Sequence, residues 1–250
     1  MVHLIDTLHD LDIPLAFCFL YDEFWLVFMR LHVLLGHVLG PEYKRLPDFW
    51  SWRVDPQKSE AGWAVHRDKS RRSIFMSGMP KTITVWLPLT DATTSNGCMY
   101  MLPADRDPTY KTGESLRDYW VDVAPSIRAL PVPSGGVLMW NQNVWHWGSR
   151  SNPHGLEPRF SLAMEFQSNP TTSSPYDPSA LVEGFPSTDD VVEMYNLEID
   201  DPLWAPAFAV RVKLVAAQIL GYQHISELSE EFEDIARRIV RQANGNGDEL

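Results

Sequence analysis

Apolar residues recur at three- and four-residue steps between Asp22 and Leu39, through Phe24, Phe28, Leu31, Leu35 and Val38. That period marks one face of an α-helix, and Gly40-Pro41 supplies its stop. Further along the period drops to two. Residues 49–54, 64–68, 82–89, 98–102, 137–141 and 159–167 read as strands, most clearly at Thr82 to Leu89, where small polar and large apolar residues alternate. Asp91 to Gly97 and Pro133-Ser134-Gly135-Gly136 read as turns, and the polar, basic stretch Lys69 to Pro80 as a loop. Residues 105–126 form a long polar excursion carrying Tyr110, Tyr119 and Trp120. Segments of that size inside a compact domain tend to be lids or binding segments.

After Asn169 the character changes. Pro170 to Pro186, rich in Pro, Ser and Thr, is expected to run over the surface. Phe208 to Leu220 is apolar and compatible with a helix. A last helix is expected from near Ser229, with Glu230, Glu231, Glu233 and Asp234 early and Arg237, Arg238 and Arg241 late, the charge order that suits a helix dipole. Residues 244–250 are expected to fray. There is no internal repeat. The whole reads as one mainly β domain with flanking α-helices over residues 1–250, its core at about 22–170 and a helical extension at about 200–243.

Composition removes several function classes. A hydrophobic fraction of 44% with 10 Trp and 11 Phe supplies ample core material, which excludes global disorder. The formal net charge of −12 argues against a nucleic-acid partner, since phosphate binding needs a cationic footprint. With only Cys18 and Cys98 no disulfide framework is expected, and a reducing, cytoplasmic setting is the simplest expectation. Asp6, Asp10 and Asp12 near the start are the reverse of a signal peptide. Asp22, Glu23, Arg30, His32 and His37 interrupt the apolar stretch 13–40, so no membrane span is expected.

The chemistry concentrates in His66-Arg67-Asp68 and, far downstream, His146 in Asn143-Val144-Trp145-His146-Trp147-Gly148-Ser149. Two residues apart on a strand, His66 and Asp68 face the same way. With a distant His on another strand they form the ligand set of a 2-His-1-carboxylate facial triad, which holds Fe(II) on one face and leaves the other open. The separation is too great for a local zinc knuckle. By the same parity Trp145 and Trp147 should face away from the metal. Arg159, with Ser161 two residues on, supplies the guanidinium that a dicarboxylate cosubstrate would need. His154, in the turn Asn152 to Gly155, is a weaker rival for the distal ligand. Trp86 and Trp140 read as core packing.

The segment 84–103 resembles the W-x-x-L-x-D-x-x-x-x-N-G-x-x-x-x-x-P stretch of the phytanoyl-CoA dioxygenase family, carried here by Trp86, Leu89, Asp91, Asn96-Gly97 and Pro103. The resemblance extends upstream to Leu39-Gly40-Pro41 and the His66-Arg67-Asp68 triplet. Downstream it takes in His146, Gly148, Ser149, Asn152 and Arg159. It implies a double-stranded β-helix (jelly-roll, cupin-like) barrel using Fe(II), 2-oxoglutarate and O2. His66, Asp68 and His146 would be the iron ligands and Arg159 the 2-oxoglutarate clamp, with Ser161 or Thr84 as hydrogen-bond donors. The implied activity is hydroxylation or desaturation of a small molecule, because Asp68 stands where halogenating relatives have a small residue. The chain differs from the family pattern in placing Trp147 between His146 and Gly148-Ser149.

Lys69, Arg71, Arg72 and Lys81 follow the ligands closely and could meet an anionic group on the substrate or form a solvated loop. A monomer or a homodimer is compatible with the sequence. Two other functions compete: a non-catalytic barrel that binds a ligand, and a cupin-type metal enzyme that does not use 2-oxoglutarate. The intact triad counts against the first and Arg159 against the second.

Overall fold

A computed structural model describes residues 1–69, 73–75, 78–168, 205–221 and 230–243. Their order begins with α1 (Val2–Asp10) and a short 3-10 helix, Leu15–Leu20, neither of which the periodicity revealed. The helix expected over 22–39 is two helices, α2 (Glu23–Met29) and α3 (His32–Leu39). Neither Gly nor Pro stands at the break. Leu31 leaves the helical region at φ −92°, ψ 1°, and packing accounts for the re-aiming. Phe24, Trp25 and Phe28 bury with α2, whereas α3 buries Leu35 and Leu39. The stop is as expected, with Gly40 at φ +95°.

Seven strands follow: β1 (Lys44–Val54), β2 (Thr82–Pro88), β3 (Met99–Met101), β4 (Arg128–Leu130), β5 (Leu138–Asn141), β6 (His146–Gly148) and β7 (Arg159–Gln167). They form a four-stranded sheet in the order β1-β7-β2-β5 and a three-stranded sheet in the order β4-β3-β6. Strand β5 runs antiparallel to β2, with Thr84 opposite Trp140 and Trp86 opposite Leu138. In the smaller sheet β3 pairs antiparallel with β4 and β6, which sets Met101 opposite His146. Strand pairing among the described residues does not close these sheets into a continuous barrel.

One expected strand is absent. Residues 64–68 make only an isolated bridge, His66 to His146, whose two backbone hydrogen bonds are both 3.0 Å. The chain bends at Val65 and again at Asp68, so the ladder stops after one pair.

The described residues divide into two compact units, one built from 1–50 and from those after 163, the other from those within 51–163. In the first, Phe19 meets Phe49 with ring centroids 4.4 Å apart, and Trp25 lies 5.2 Å from Phe49. Helices α5 (Phe208–Gly221) and α6 (Glu230–Ala243) pack together, close to their expected bounds. Gln218 of α5 donates to the Phe49 carbonyl at 2.8 Å. Between α4 (Trp120–Val123) and β3 the second unit buries Leu102, Leu116 and Val123 against Trp145. No helix among the described residues is long and apolar enough to cross a membrane. The expected surface run 170–186 and the tail 244–250 lie outside the described residues.

Candidate metal centre

Three donors converge in the second unit. Asp68 Oδ1 lies 3.3 Å from His66 Nε2 and 3.2 Å from His146 Nε2, and the three ligand atoms all fall within 4.8 Å of one another. What brings them together is the single bridge between residues 66 and 146. It is possible only because the chain closes up behind it at Gly62 and Gly148. A Cβ built on either glycine would sit 2.6 Å from the other's Cα. No larger residue fits there.

Each donor is oriented from behind. His66 Nδ1 lies 2.7 Å from the Ala64 carbonyl and His146 Nδ1 3.1 Å from that of Val144. A carbonyl only accepts, so both Nδ1 atoms carry a proton and both Nε2 atoms are left facing Asp68, as metal ligation requires. The carboxylate is divided as well. Its Oδ2 accepts from Thr84 Oγ1 at 2.6 Å and from Trp140 Nε1 at 3.0 Å, which leaves Oδ1 for the histidines. Gln142 Nε2 then donates to Thr84 Oγ1 at 3.1 Å, fixing the hydroxyl. Burial alone would push Asp68 up, but the His146 charge and the hydrogen bonds from both histidines hold it well below the usual carboxylate range. His146 is raised in turn: burial would lower it, and the Asp68 carboxylate outweighs burial. Side-chain exposure is 27% for His66, 11% for Asp68 and 3% for His146, so the cluster opens toward solvent on the His66 side.

Arg159 is the other notable group. It starts β7, is 2% exposed, and stands over the Trp86 ring at 5.3 Å. Its Nη1 donates to Ser161 Oγ at 2.7 Å, while Nε is buried without a hydrogen-bond partner. Burial pulls its guanidinium down to about 10, and the nearby Cys98 thiol offsets that only in part. A buried guanidinium with a spare N–H donor can receive an anion. Asn96-Gly97 makes room for it. Gly97 turns at φ +87°, and a Cβ there would meet the Ser149 carbonyl at 3.0 Å and lie 3.8 Å from Arg159 Nε.

The structure therefore brings together His66, Asp68, His146 and Thr84, and sets Arg159 beside Ser161. His154 stays in its turn, its N–H donating to Asn152 Oδ1. Trp147 stacks on Tyr100 at 5.8 Å, and Trp145 donates to Thr109 at 3.2 Å. Of the basic run, Arg71 and Arg72 lie outside the described residues, and Lys81 sits 5.4 Å from the Phe75 ring. The sequence reading missed Trp140 and Gln142 as partners of the site. Only the β2–β5 register, with Thr84 opposite Trp140, reveals them.

Two imidazoles and one carboxylate held on a β scaffold, with an open face, are the donor set of a facial-triad metal site. Residues 7–153, more than half of the chain, match the phytanoyl-CoA dioxygenase (PhyH) family, and the chain belongs to that family. Its mainly antiparallel sheets with flanking helices are that family's double-stranded β-helix, here with the barrel unclosed.

Similar solved structures include the non-haem α-ketoglutarate-dependent epimerase SnoN from nogalamycin biosynthesis, at 20% identity and TM-score 0.44, covering 57% of this chain and 54% of that one. HygX from Streptomyces hygroscopicus, with nickel and 2-oxoglutarate bound, matches at 17% identity and TM-score 0.43, covering 56% and 62%. AviO1 from Streptomyces viridochromogenes Tue57 matches at 19% identity and TM-score 0.45, covering 60% and 58%. The chain spans little more than half the length of these structures. No curated protein gives a significant match.

Proposed function

We propose that this chain is an Fe(II)- and 2-oxoglutarate-dependent dioxygenase that hydroxylates a C–H bond of a small organic molecule. The observation that carries the reading is the buried Arg159, its Nε without a hydrogen-bond partner, on the strand beside β2. On β2, Thr84 marks the metal end and Trp86 the Arg159 end. One two-residue repeat, about 6.6 Å, separates them along the strand, a span comparable with an extended five-carbon diacid.

In this assignment His66 Nε2, Asp68 Oδ1 and His146 Nε2 hold the metal. Arg159 and Ser161 take the distal carboxylate of 2-oxoglutarate. Thr84 is committed to Asp68 and Gln142, so its part is to orient a ligand. Bound Fe(II) supplies O2 activation coupled to conversion of 2-oxoglutarate into succinate and CO2. The protein's share is to hold one C–H bond at the open face and to exclude competing reactions. Asp68 fills the position that a halide would need, which favours hydroxylation over halogenation.

The test is succinate release from 2-oxoglutarate by anaerobically iron-loaded protein on exposure to O2, with His66→Ala as control. Slow turnover that disappears in the mutant is the expected result. Iron binding with no succinate moves the question to Arg159, and calorimetric titration of 2-oxoglutarate into wild type and Arg159→Met answers it. A protein that binds no iron overturns the assignment in favour of a ligand-binding barrel.

A further inference from the structure

Arg67 stands between two of the three donors, yet its side chain turns away from them. Neighbours in an extended segment point to opposite sides, so His66 and Asp68 project into the centre and Arg67 projects behind it. There Nη1 donates to the Asn143 carbonyl at 2.5 Å and to Asn143 Oδ1 at 2.8 Å. Nη2 donates to Asp107 Oδ2 and to Thr109 Oγ1, both at 2.8 Å. The guanidinium carbon sits over the Trp145 ring at 4.7 Å and the Tyr110 ring at 6.0 Å.

These partners come from two places. Asn143 and Trp145 lead into His146, whereas Asp107, Thr109 and Tyr110 open the 105–126 excursion. The second group is closed on itself and onto the first. Asp107 Oδ1 accepts from the Thr109 N–H and hydroxyl, both at 2.8 Å. Trp145 Nε1 donates to Thr109 Oγ1 at 3.2 Å, and Asn143 Nδ2 to the Tyr110 carbonyl at 2.9 Å. The Arg67 and Asp107 side chains are 7% and 1% exposed, so this network is desolvated. The first part of the excursion thus buttresses the back of the metal centre, where the sequence suggested a lid or a binding segment.

Packing alone does not account for the arrangement. The triplet 66–68 has one bridge and no ladder, so the grip on Arg67 from behind is a second hold on its donors beside that bridge. We propose that Arg67 is a positioning residue that couples the metal centre to the excursion. Filling the centre steadies residues 107–110, and loosening those residues weakens metal binding by the same factor, because linked equilibria are reciprocal. This inference rests on His66, Asp68 and His146 being metal ligands.

The experiment uses Co(II) as the probe, titrated anaerobically into the full metal-free chain and followed by its visible absorption. Hydrogen exchange of residues 107–110 is measured with and without the ion. Thr109→Val removes the hydroxyl that accepts from both Arg67 and Trp145 and donates to Asp107, while keeping volume, on the side away from the donors. The expected result is that Co(II) slows exchange at 107–110 in the wild type. In Thr109→Val the slowing disappears and affinity falls about tenfold, the scale of losing an outer-shell support. Arg67→Lys, which cannot fork between Asn143 and Asp107, shifts both readouts the same way; Thr109→Val carries the test if that protein fails to fold. Wild-type binding without slowed exchange overturns the coupling. So does a Thr109→Val protein of lower thermal stability but equal Co(II) affinity. A wild type that binds no Co(II) overturns the ligand assignment beneath it.

Discussion

At the scale of single residues the site is governed by how the two oxygens of Asp68 are divided. Thr84 and Trp140 hold Oδ2, so the carboxylate offers one oxygen to a metal and leaves coordination positions open. Thr84→Val should therefore weaken Co(II) or Ni(II) binding by about 10- to 100-fold with little change in folding, as outer-shell partners commonly do; isothermal titration measures it. The Asp68–His146 pair also sets a pH signature in metal-free protein. Asp68 is held below its ordinary 3.8 and contributes stability above that value, lost as pH falls through its folded value. His146 is raised above its ordinary 6.5 and contributes stability fully present below 6.5, lost as pH rises through its folded value. Chelated protein should thus lose thermal stability as pH climbs from 6.5, and His146→Asn should flatten that slope. Metal affinity should climb over the same range, because the ion competes with the His146 proton. As a candidate ligand set His66, Asp68 and His146 were legible in the sequence, because few residue types ligate iron and their spacing is distinctive. Trp140 was read as core, since the partner of an indole N–H depends on cross-strand register and leaves no trace in its neighbours.

At the scale of elements, what matters is how closely two segments approach. Gly62 against Gly148 lets residues 61–66 lie on β6, and the isolated bridge His66–His146 follows from it. Gly148→Ala should force the segments apart, costing about 1–3 kcal/mol as overpacking does. It should weaken Co(II) binding more than an equally destabilising change elsewhere, and thermal melts paired with titration test this. The two-residue period located β2 and β7 almost to the residue, because alternation along a strand records which face is buried. Residues 64–68 were misread as a strand because a short extended segment carries the same alternation with or without a ladder. The break between α2 and α3 was invisible for a similar reason: no residue there is a poor helix former, and packing makes the turn.

At the scale of the whole molecule, the donors, Arg159 and the Arg67 network all lie within residues 51–163, while α5, α6 and the aromatic core around Phe49 belong to the other unit. Leu214→Ala, in buried α5, should cost about 2–5 kcal/mol of stability and leave Co(II) affinity at low temperature unchanged. Metal at a hundred times its dissociation constant should stabilise the folded chain by about 2.7 kcal/mol, seen as a melting shift that chelation reverses. The sequence by itself determined the composition class, the run of most strands and both C-terminal helices, and the three candidate donors. Hydrophobic period, helix stops and ligand chemistry are local properties, written within a few residues of where they act. Only the tertiary structure decided that Thr84 orients Asp68, that Trp140 joins it, and that Arg67 ties residues 107–110 to the centre. Those contacts join residues 16 to 72 positions apart, and desolvation makes them strong only after the chain has closed around them.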